Sequence, residues 1–276
     1  MTGEQRGRAD LHVHTLASDG TNGVLEILDH VAGLDLDVIG IADHDRIDAG
    51  LAARAIAADR GLPFDVIVGE EVSSLGGHVL ALFVETRIRP LRTLGATIAE
   101  IHDAGGIAIP AHPLVPYPLC AQGWVLRGLL DRSDERFHPD AIEAFNPTML
   151  GRPWHPRVVR FAEQYGFATV GNSDAHALGT IGSGWTEFEG RTAAELRAAI
   201  AAHATTHHGT FHGTGGQVRT FGRQLAKYSR DARAELGGRL RRDGTRRDLG
   251  YPAPYGPSPE ERAGDVAGQP AEERRR

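Results

Sequence analysis

The 276-residue sequence holds one cysteine, Cys120, and one lysine, Lys227. A lone cysteine excludes an internal disulfide. With lysine nearly absent, arginine carries the positive charge, so its abundance reflects compositional bias rather than selection for anion binding. Aromatic residues make up only 6% of the chain, which leaves aliphatic side chains to build most of the core. No apolar run approaches the length of a bilayer span, and the opening "MTGEQRGRAD" lacks the apolar region of a signal peptide. The expectation is a cytoplasmic protein with no membrane partner. The net charge is -6, with an acidic excess through residue 218 and a basic excess after it. An acidic body does not hold phosphates by side-chain charge alone, and bound cations would reverse that locally.

What is present is an alternation of short apolar runs with longer amphipathic ones. The strand-like runs are "DLHVH", "DVIGIAD", "DVIVGEEVS", "HVLALFV", "GIAIPAH", "AIEAF" and "ATVGNSD". Helical periodicity is found near 21–33, 48–60, 91–104, 155–165 and 192–202, with Thr21 or Asn22 placed to cap the first. Buried strands alternating with helices indicate βα units and an α/β fold, and some seven strands favour a closed barrel over an open sheet. Residues 1–8 read as a flexible N-terminus and 9–217 as the barrel. Residues 218–242 read as a basic amphipathic helix, able to pack on the barrel or to touch RNA weakly. Residues 243–276, rich in Pro, Gly and charge, read as a disordered tail.

The 14 histidines are not scattered at random. His12 and His14 end the first strand, and alternation along a strand puts them on one face. His44 ends the second, His112 the fifth, and His176 follows the last; His78 stands apart because it begins its strand. Asp19, Glu70, Glu71 and Asp174 accompany them. A single histidine at a strand end is ordinarily a hydrogen-bonded structural residue. So many imidazoles and carboxylates gathered at one rim would leave costly unpaired groups without a cation. His30 and His102 fall within helical stretches and read as surface or packing residues. The tract "HATTHHGTFH" (203–212) resembles a metal tract only in composition.

The stretches "DLHVHTLASDG", "GIADHD", "VGEEVS" with "GHVLAL", "AIPAHP" and "GNSDAH" resemble, in order, the motifs of the polymerase and histidinol phosphatase (PHP) family of metal-dependent phosphoesterases. The likeness is greatest to small stand-alone members acting on nucleotides or short oligonucleotides. It implies a distorted (β/α)7 TIM-like barrel with two or three divalent ions (Mn, Zn or Fe). One ion would be held by His12, His14, Glu71 and Asp174, a second by Glu71, His78 and His112, and a third by Asp19, His44 and His176. Glu70 is then the outward neighbour of the bridging Glu71. The mixed imidazole and carboxylate donors, with no thiolate near the motifs, do not choose among these metals.

Such a centre, with its excess positive charge, suits a phosphate monoester dianion attacked by metal-activated hydroxide. The expected activity is hydrolysis of nucleoside mono- or bisphosphates or short oligonucleotides. The alternatives are a histidinol-phosphate phosphatase and, with less support, a metal amidohydrolase. The general acid is not assigned; Asp45 and His176 are both near. Arg46, Asn146 and Arg152 are candidate substrate contacts. The long stretch 114–139 is a candidate lid offering Tyr117 or Trp124 to a base. The preferred expectation there is that Trp124, Leu126, Leu129 and Leu130 form the core face of a helix.

Overall fold

The computed structural model describes residues 6–117, 119–148 and 151–211. The basic helix expected at 218–242 and the tail expected at 243–276 lie outside the described residues. The strands are β1 (Arg6–Val13), β2 (Val38–Ile41), β3 (Asp65–Ser74), β4 (Gly77–Leu82), β5 (Ile107–Pro110), β6 (Ala141–Phe145), β7 (Ala168–Gly171), β8 (Gly184–Glu189) and β9 (Thr206–Gly209). Seven of them form one sheet in the order β5-β4-β3-β2-β1-β8-β9, while β6 and β7 pair separately in parallel. Strands β1, β2 and β3 are parallel, and β4 and β8 run against them.

The apolar runs become strands because both faces are covered: VIGI of β2 and IAIP of β5 are buried throughout. Helices cover the outside. α1 (Val24–Val31) buries Val24, Ile27, Leu28 and Val31, the spacing of one helical face. Its first turn is capped by the Glu26 carboxylate, which accepts from Gly23 N at 2.8 Å. The cap is therefore not Thr21, whose hydroxyl donates to the His176 carbonyl at 2.9 Å. α2 (Asp48–Arg60) buries only Ala49, Gly50, Ala53 and Ala57, a thin face that lets it sit close to β3, and it stops at Gly61 in the left-handed conformation. α3 (Leu94–Asp103), α4 (Gly123–Leu130), α5 (Gly151–Tyr165) and α6 (Ala193–Ala201) complete the set. α5 begins earlier than the periodicity predicts, with Pro153 and Pro156 in its first two turns.

The two sheets do not share a ladder. Isolated backbone bonds and side chains join them instead: His14 N donates to the Ala175 carbonyl at 2.9 Å and Ala175 N to the His12 carbonyl at 3.0 Å. Between β5 and β6, Ala108 N donates to Asp140 Oδ2 at 2.7 Å and Asp140 N to the Ala108 carbonyl at 3.0 Å. Between β1 and the end of β7, Leu11 N donates to Asn172 Oδ1 (3.1 Å) and Ser173 N to Asp10 Oδ1 (2.9 Å), while Gly182 N reaches Asp10 Oδ2 (2.8 Å). These bonds satisfy backbone donors that a continuous sheet would have paired.

The barrel expectation is thus met in part. The fold is mixed α/β, with the large sheet curled as a half-barrel and the β6–β7 pair set beside β5, β8 and β9. Nine strands rather than seven are found among the described residues. The N-terminal boundary also moves. Arg6, Gly7 and Arg8 lie in β1, paired with Glu189, Phe188 and Glu187 of β8, so residues 6–8 are strand rather than a flexible end. Among the described residues no helix is long and apolar enough to cross a membrane.

Candidate metal centre

Strand geometry brings the predicted side chains to one rim. β1 delivers His12 and His14 near its C-terminal end, and β2 is followed by His44, which bridges to Glu71 on β3. β4 runs antiparallel to β3, so its first residues stand at the same rim as the other strands' last ones. That places His78 in the group and explains its apparent exception. His112 follows β5, and Asp174 and His176 follow β7.

Glu71 is the centre of the arrangement and is 1% exposed. Its Oε2 lies 3.2 Å from His12 Nε2, 3.3 Å from His14 Nε2 and 3.2 Å from His44 Nδ1. Its Oε1 lies 2.7 Å from His78 Nδ1 and 3.0 Å from His112 Nε2. Asp174 Oδ1 approaches His12 Nε2 at 3.5 Å, His14 Nε2 at 3.4 Å and His176 Nδ1 at 3.6 Å. Asp19 Oδ2 is 3.1 Å from His176 Nε2 and 3.7 Å from His44 Nε2. All nine predicted metal-site residues are therefore brought together. His14 also joins the group of Asp19, His44 and His176, a sharing that the three-set partition does not contain.

The donors fit divalent cations on their own geometry. His12 Nε2, His14 Nε2 and His78 Nδ1 are buried with no hydrogen-bond partner, although each lies near a Glu71 oxygen. They come close without aligning. Buried ring nitrogens left this way are costly unless something else satisfies them. Separations of 3.2–3.5 Å between His12, His14, Glu71 and Asp174 donors suit atoms bonded to one ion at about 2.0–2.1 Å. The triads His12–His14–Glu71 and His44–Glu71–His78, and the tetrad around Asp19, each converge closely enough to hold an ion.

Without cations the cluster titrates as mutual ion pairs. Burial opposes charge on His12, but Asp174, Glu71 and Glu143 outweigh it and hold the imidazole well above its usual range. Burial likewise opposes charge on His14, and the nearby Asp174, Asp19 and Glu71 carboxylates raise it to about 10. His44 goes down, because burial dominates. Against burial, the surrounding imidazoles hold Glu71 and Asp174 well below the usual carboxylate range. Backbone strain collects at the same place. Asp45, His112 and Asp174 have φ of 52°, 33° and 51°, the left-handed region that non-glycine residues seldom enter.

The predicted substrate contacts are differently placed. Asn146 is 5% exposed, and its Nδ2 donates to Glu143 Oε2 at 3.0 Å and Asp174 Oδ2 at 3.3 Å. It is built into the wall rather than facing an opening. Arg46 is clamped on Asp48 by bonds of 2.8 and 2.7 Å and reaches the Ala17 carbonyl at 3.4 Å. Arg152 lies over the Phe211 ring. Leu126 and Leu129 are buried as expected, but Trp124 is 71% exposed, so it is not part of the core face. His207 and His208 of the 203–212 tract alternate across β9: His207 bonds Thr169 and His208 stacks on Trp185. That tract gathers no metal-binding group among the described residues.

Three residues near the centre are not singled out by the sequence reading. Asp43 accepts from Thr15 N and Thr15 Oγ1 at 2.8 Å and from the Ser18 hydroxyl, shaping the loop that carries Asp19. Glu143 accepts from His12 and from the backbone of His112. Its signal was a lone carboxylate inside the apolar strand AIEAF, a group that must find partners when buried. Cys120 Sγ lies 3.2 Å from His112 Nδ1, the ring nitrogen that does not face Glu71, and joins none of the metal-binding groups. Residues 119–121 return towards His112 and His78, with His78 N donating to the Leu119 carbonyl and Leu114 N to the Ala121 carbonyl.

Known proteins resemble this chain in sequence and in fold. A family profile described as PHP-associated matches residues 152–205, the stretch that carries Asp174 and His176. An uncharacterised protein of Methanocaldococcus jannaschii is 27% identical over 150 residues, covering 50% of this chain and 81% of that protein. A 3',5'-nucleoside bisphosphate phosphatase of Chromobacterium violaceum is 31% identical over 118 residues, 36% of this chain and 39% of the phosphatase. Among solved structures, a two-domain protein of Bacteroides vulgatus containing a predicted PHP-like metal-dependent phosphoesterase superposes with a TM-score of 0.59. The two are 18% identical, over 81% of this chain and 71% of that one, so the likeness is one of fold. The chain is PHP-like in its C-terminal segment and in its fold, as its motifs indicate.

Proposed function

We propose that this PHP-like chain is a metal-dependent phosphoesterase that hydrolyses phosphate monoesters, with nucleoside mono- or bisphosphates as the preferred class. One observation carries the reading: five imidazoles lie 2.7–3.3 Å from the two oxygens of one buried carboxylate, Glu71. His12, His14, Glu71 and Asp174 would hold one cation. Glu71, His78 and His112 would hold a second, and Asp19, His44 and His176, joined by His14, a third. When bound, the cations supply Lewis-acid activation of water and neutralise charge on the phosphoryl oxygens. The donor chemistry suits manganese, iron or zinc.

The chain's own residues do the rest. Glu71 would be shared between two cations, because each of its oxygens faces a different set of imidazoles. Asp174 and Asp19 return negative charge to the centre and fix the spacing of the rings around them. Thr15, Ser18 and Asp43 hold the loop that presents Asp19. The exposed rings of Trp124 and Tyr117 border the segment after His112 and offer an apolar platform to a nucleobase. The similarity to the bisphosphate phosphatase supports that substrate class.

The test is phosphate release by purified protein supplied with manganese, zinc or iron. The panel comprises nucleoside 5'-monophosphates, 3',5'-bisphosphates and histidinol phosphate. Turnover is expected on the nucleotides. His12→Ala and Asp174→Ala each lower kcat/KM by about 100-fold or more, since several kcal/mol of charge stabilisation go with each cation. A metal-loaded protein inert on every ester, or variants as active as the parent, would refute the assignment.

A further inference from the structure

Glu143 lies in the middle of β6, is 1% exposed, and accepts four hydrogen bonds. Its Oε1 takes His12 Nδ1 at 3.0 Å and Asn172 Nδ2 at 2.8 Å. Its Oε2 takes His112 N at 2.7 Å and Asn146 Nδ2 at 3.0 Å. Four donors fill the acceptor capacity of one carboxylate. Three of the four donors belong to elements that carry part of the metal centre. His12 is on β1, and His112 ends β5. Asn172 ends β7, ahead of Asp174, and also receives Leu11 N on its Oδ1. Asn146 passes the contact on to Asp174 Oδ2 at 3.3 Å.

From this juxtaposition we infer that Glu143 is a positioning residue for the metal centre, fixing the ring of His12 and the backbone of His112. The inference rests on the phosphoesterase reading for its purpose, but its physical content is separate. A carboxylate on Nδ1 keeps a proton there and leaves Nε2 as the nitrogen directed at Glu71 and Asp174. The carboxylate–histidine pair also makes that nitrogen a better donor to a cation. The bond to His112 N holds a residue whose φ of 33° would otherwise relax, and with it the direction of the ring that meets Glu71. Between β5 and β6, which form no ladder, Glu143 at His112 and Asp140 at Ala108 supply bonds that strand pairing would otherwise make.

Two measurements test this. The first uses the metal-free wild-type protein. Proton–nitrogen NMR is expected to show a downfield, slowly exchanging proton on His12 Nδ1, assigned by its loss in His12→Gln and absent in Glu143→Gln. Its absence from the wild type would overturn the inference whether or not the protein binds metal. The second is calorimetric titration with manganese alone. Glu143→Gln puts an amide donor among four donors and is expected to weaken manganese binding 10–100-fold. Asp10→Asn perturbs the same seam through the backbone, without contacting the side chain of a predicted ligand, and is expected to stay within about threefold of wild type. Equal losses in both variants would mean general loosening and would overturn the positioning role, as would unchanged affinity in Glu143→Gln. If the wild type takes up manganese yet releases no phosphate from any ester, the phosphoesterase reading fails and the positioning role stands on these two readouts.

Discussion

Glu70 and Glu71 are adjacent residues of one type in β3, and their surroundings drive them in opposite directions. Glu71 faces the imidazoles and is held well below its usual range against the cost of burial. Glu70 faces the other way, accepts only from Ile88 N at 2.9 Å, and keeps Oε1 without a hydrogen bond; burial pushes it up to about 7. A carboxyl whose folded pKa lies above its ordinary 4.5 contributes stability below about pH 4.5 and loses it as pH rises through about 7. Glu70→Gln therefore raises the melting temperature at pH 8, by the equivalent of about 2–3 kcal/mol, and leaves it nearly unchanged near pH 4.5. A melt series showing no such divergence would contradict the burial argument. His14 has the complementary sign in metal-free protein: its contribution is full below pH 6.5 and fades as pH rises through about 10. A cation must displace that proton and the one on His12. Manganese affinity then increases from pH 6 to pH 8, with protons released on binding. Titration in two buffers of different ionisation heat counts them, and a buffer-independent heat would be the contrary result.

At the scale of elements, the β3–β4 hairpin and the segment after β5 are locked by contact of backbone with backbone. Gly77 has a φ of +125°, and a Cβ there would stand 2.3 Å from Ala121 N. Gly77→Ala is expected to cost about 1–3 kcal/mol in chemical denaturation and to shift Cys120 away from His112. The elements themselves were legible to very different degrees. β2, β5 and β7 are short apolar runs, and α1 repeats its apolar residues with helical spacing, so pattern alone locates them. β8, GWTEFE, buries only alternate residues, and β9, THHG, buries none fully, so neither stands out from loop sequence. α4 falls in the stretch where a helix is preferred over a lid, with Leu126 and Leu129 on its buried face and Trp124 off it. The nine clustered residues were legible because most of them stand at or near a strand end in a characteristic motif. Glu143 and Cys120 were not, since their partnerships depend on β6 meeting β1 and on residues 119–121 returning to His112. Counting strands also could not show that side chains and isolated backbone bonds, rather than a ladder, join β6–β7 to the large sheet.

For the molecule as a whole, the cluster concentrates ring nitrogens and carboxylates that only the folded chain brings together. Ions bound there stabilise the folded state by mass action, about 2.7 kcal/mol per site at a hundredfold excess over Kd. Chelation of a loaded sample therefore lowers Tm, and manganese restores it; identical melting with and without chelator would show that the folded protein gains nothing from the ions. The side-chain seam has a consequence for how this protein is made. Its bonds span great lengths of sequence: 131 positions from His12 to Glu143, 157 from Asp19 to His176, and 172 from Asp10 to Gly182. A nascent chain leaves the ribosome with the His12–His14 pair first and carries it unsheltered through most of translation. Only when the stretch around residue 182 has emerged can the two ends of the barrel domain clasp. Synthesis that stalls before Asp174 yields a chain with most of the cluster's donors and no means of gathering them.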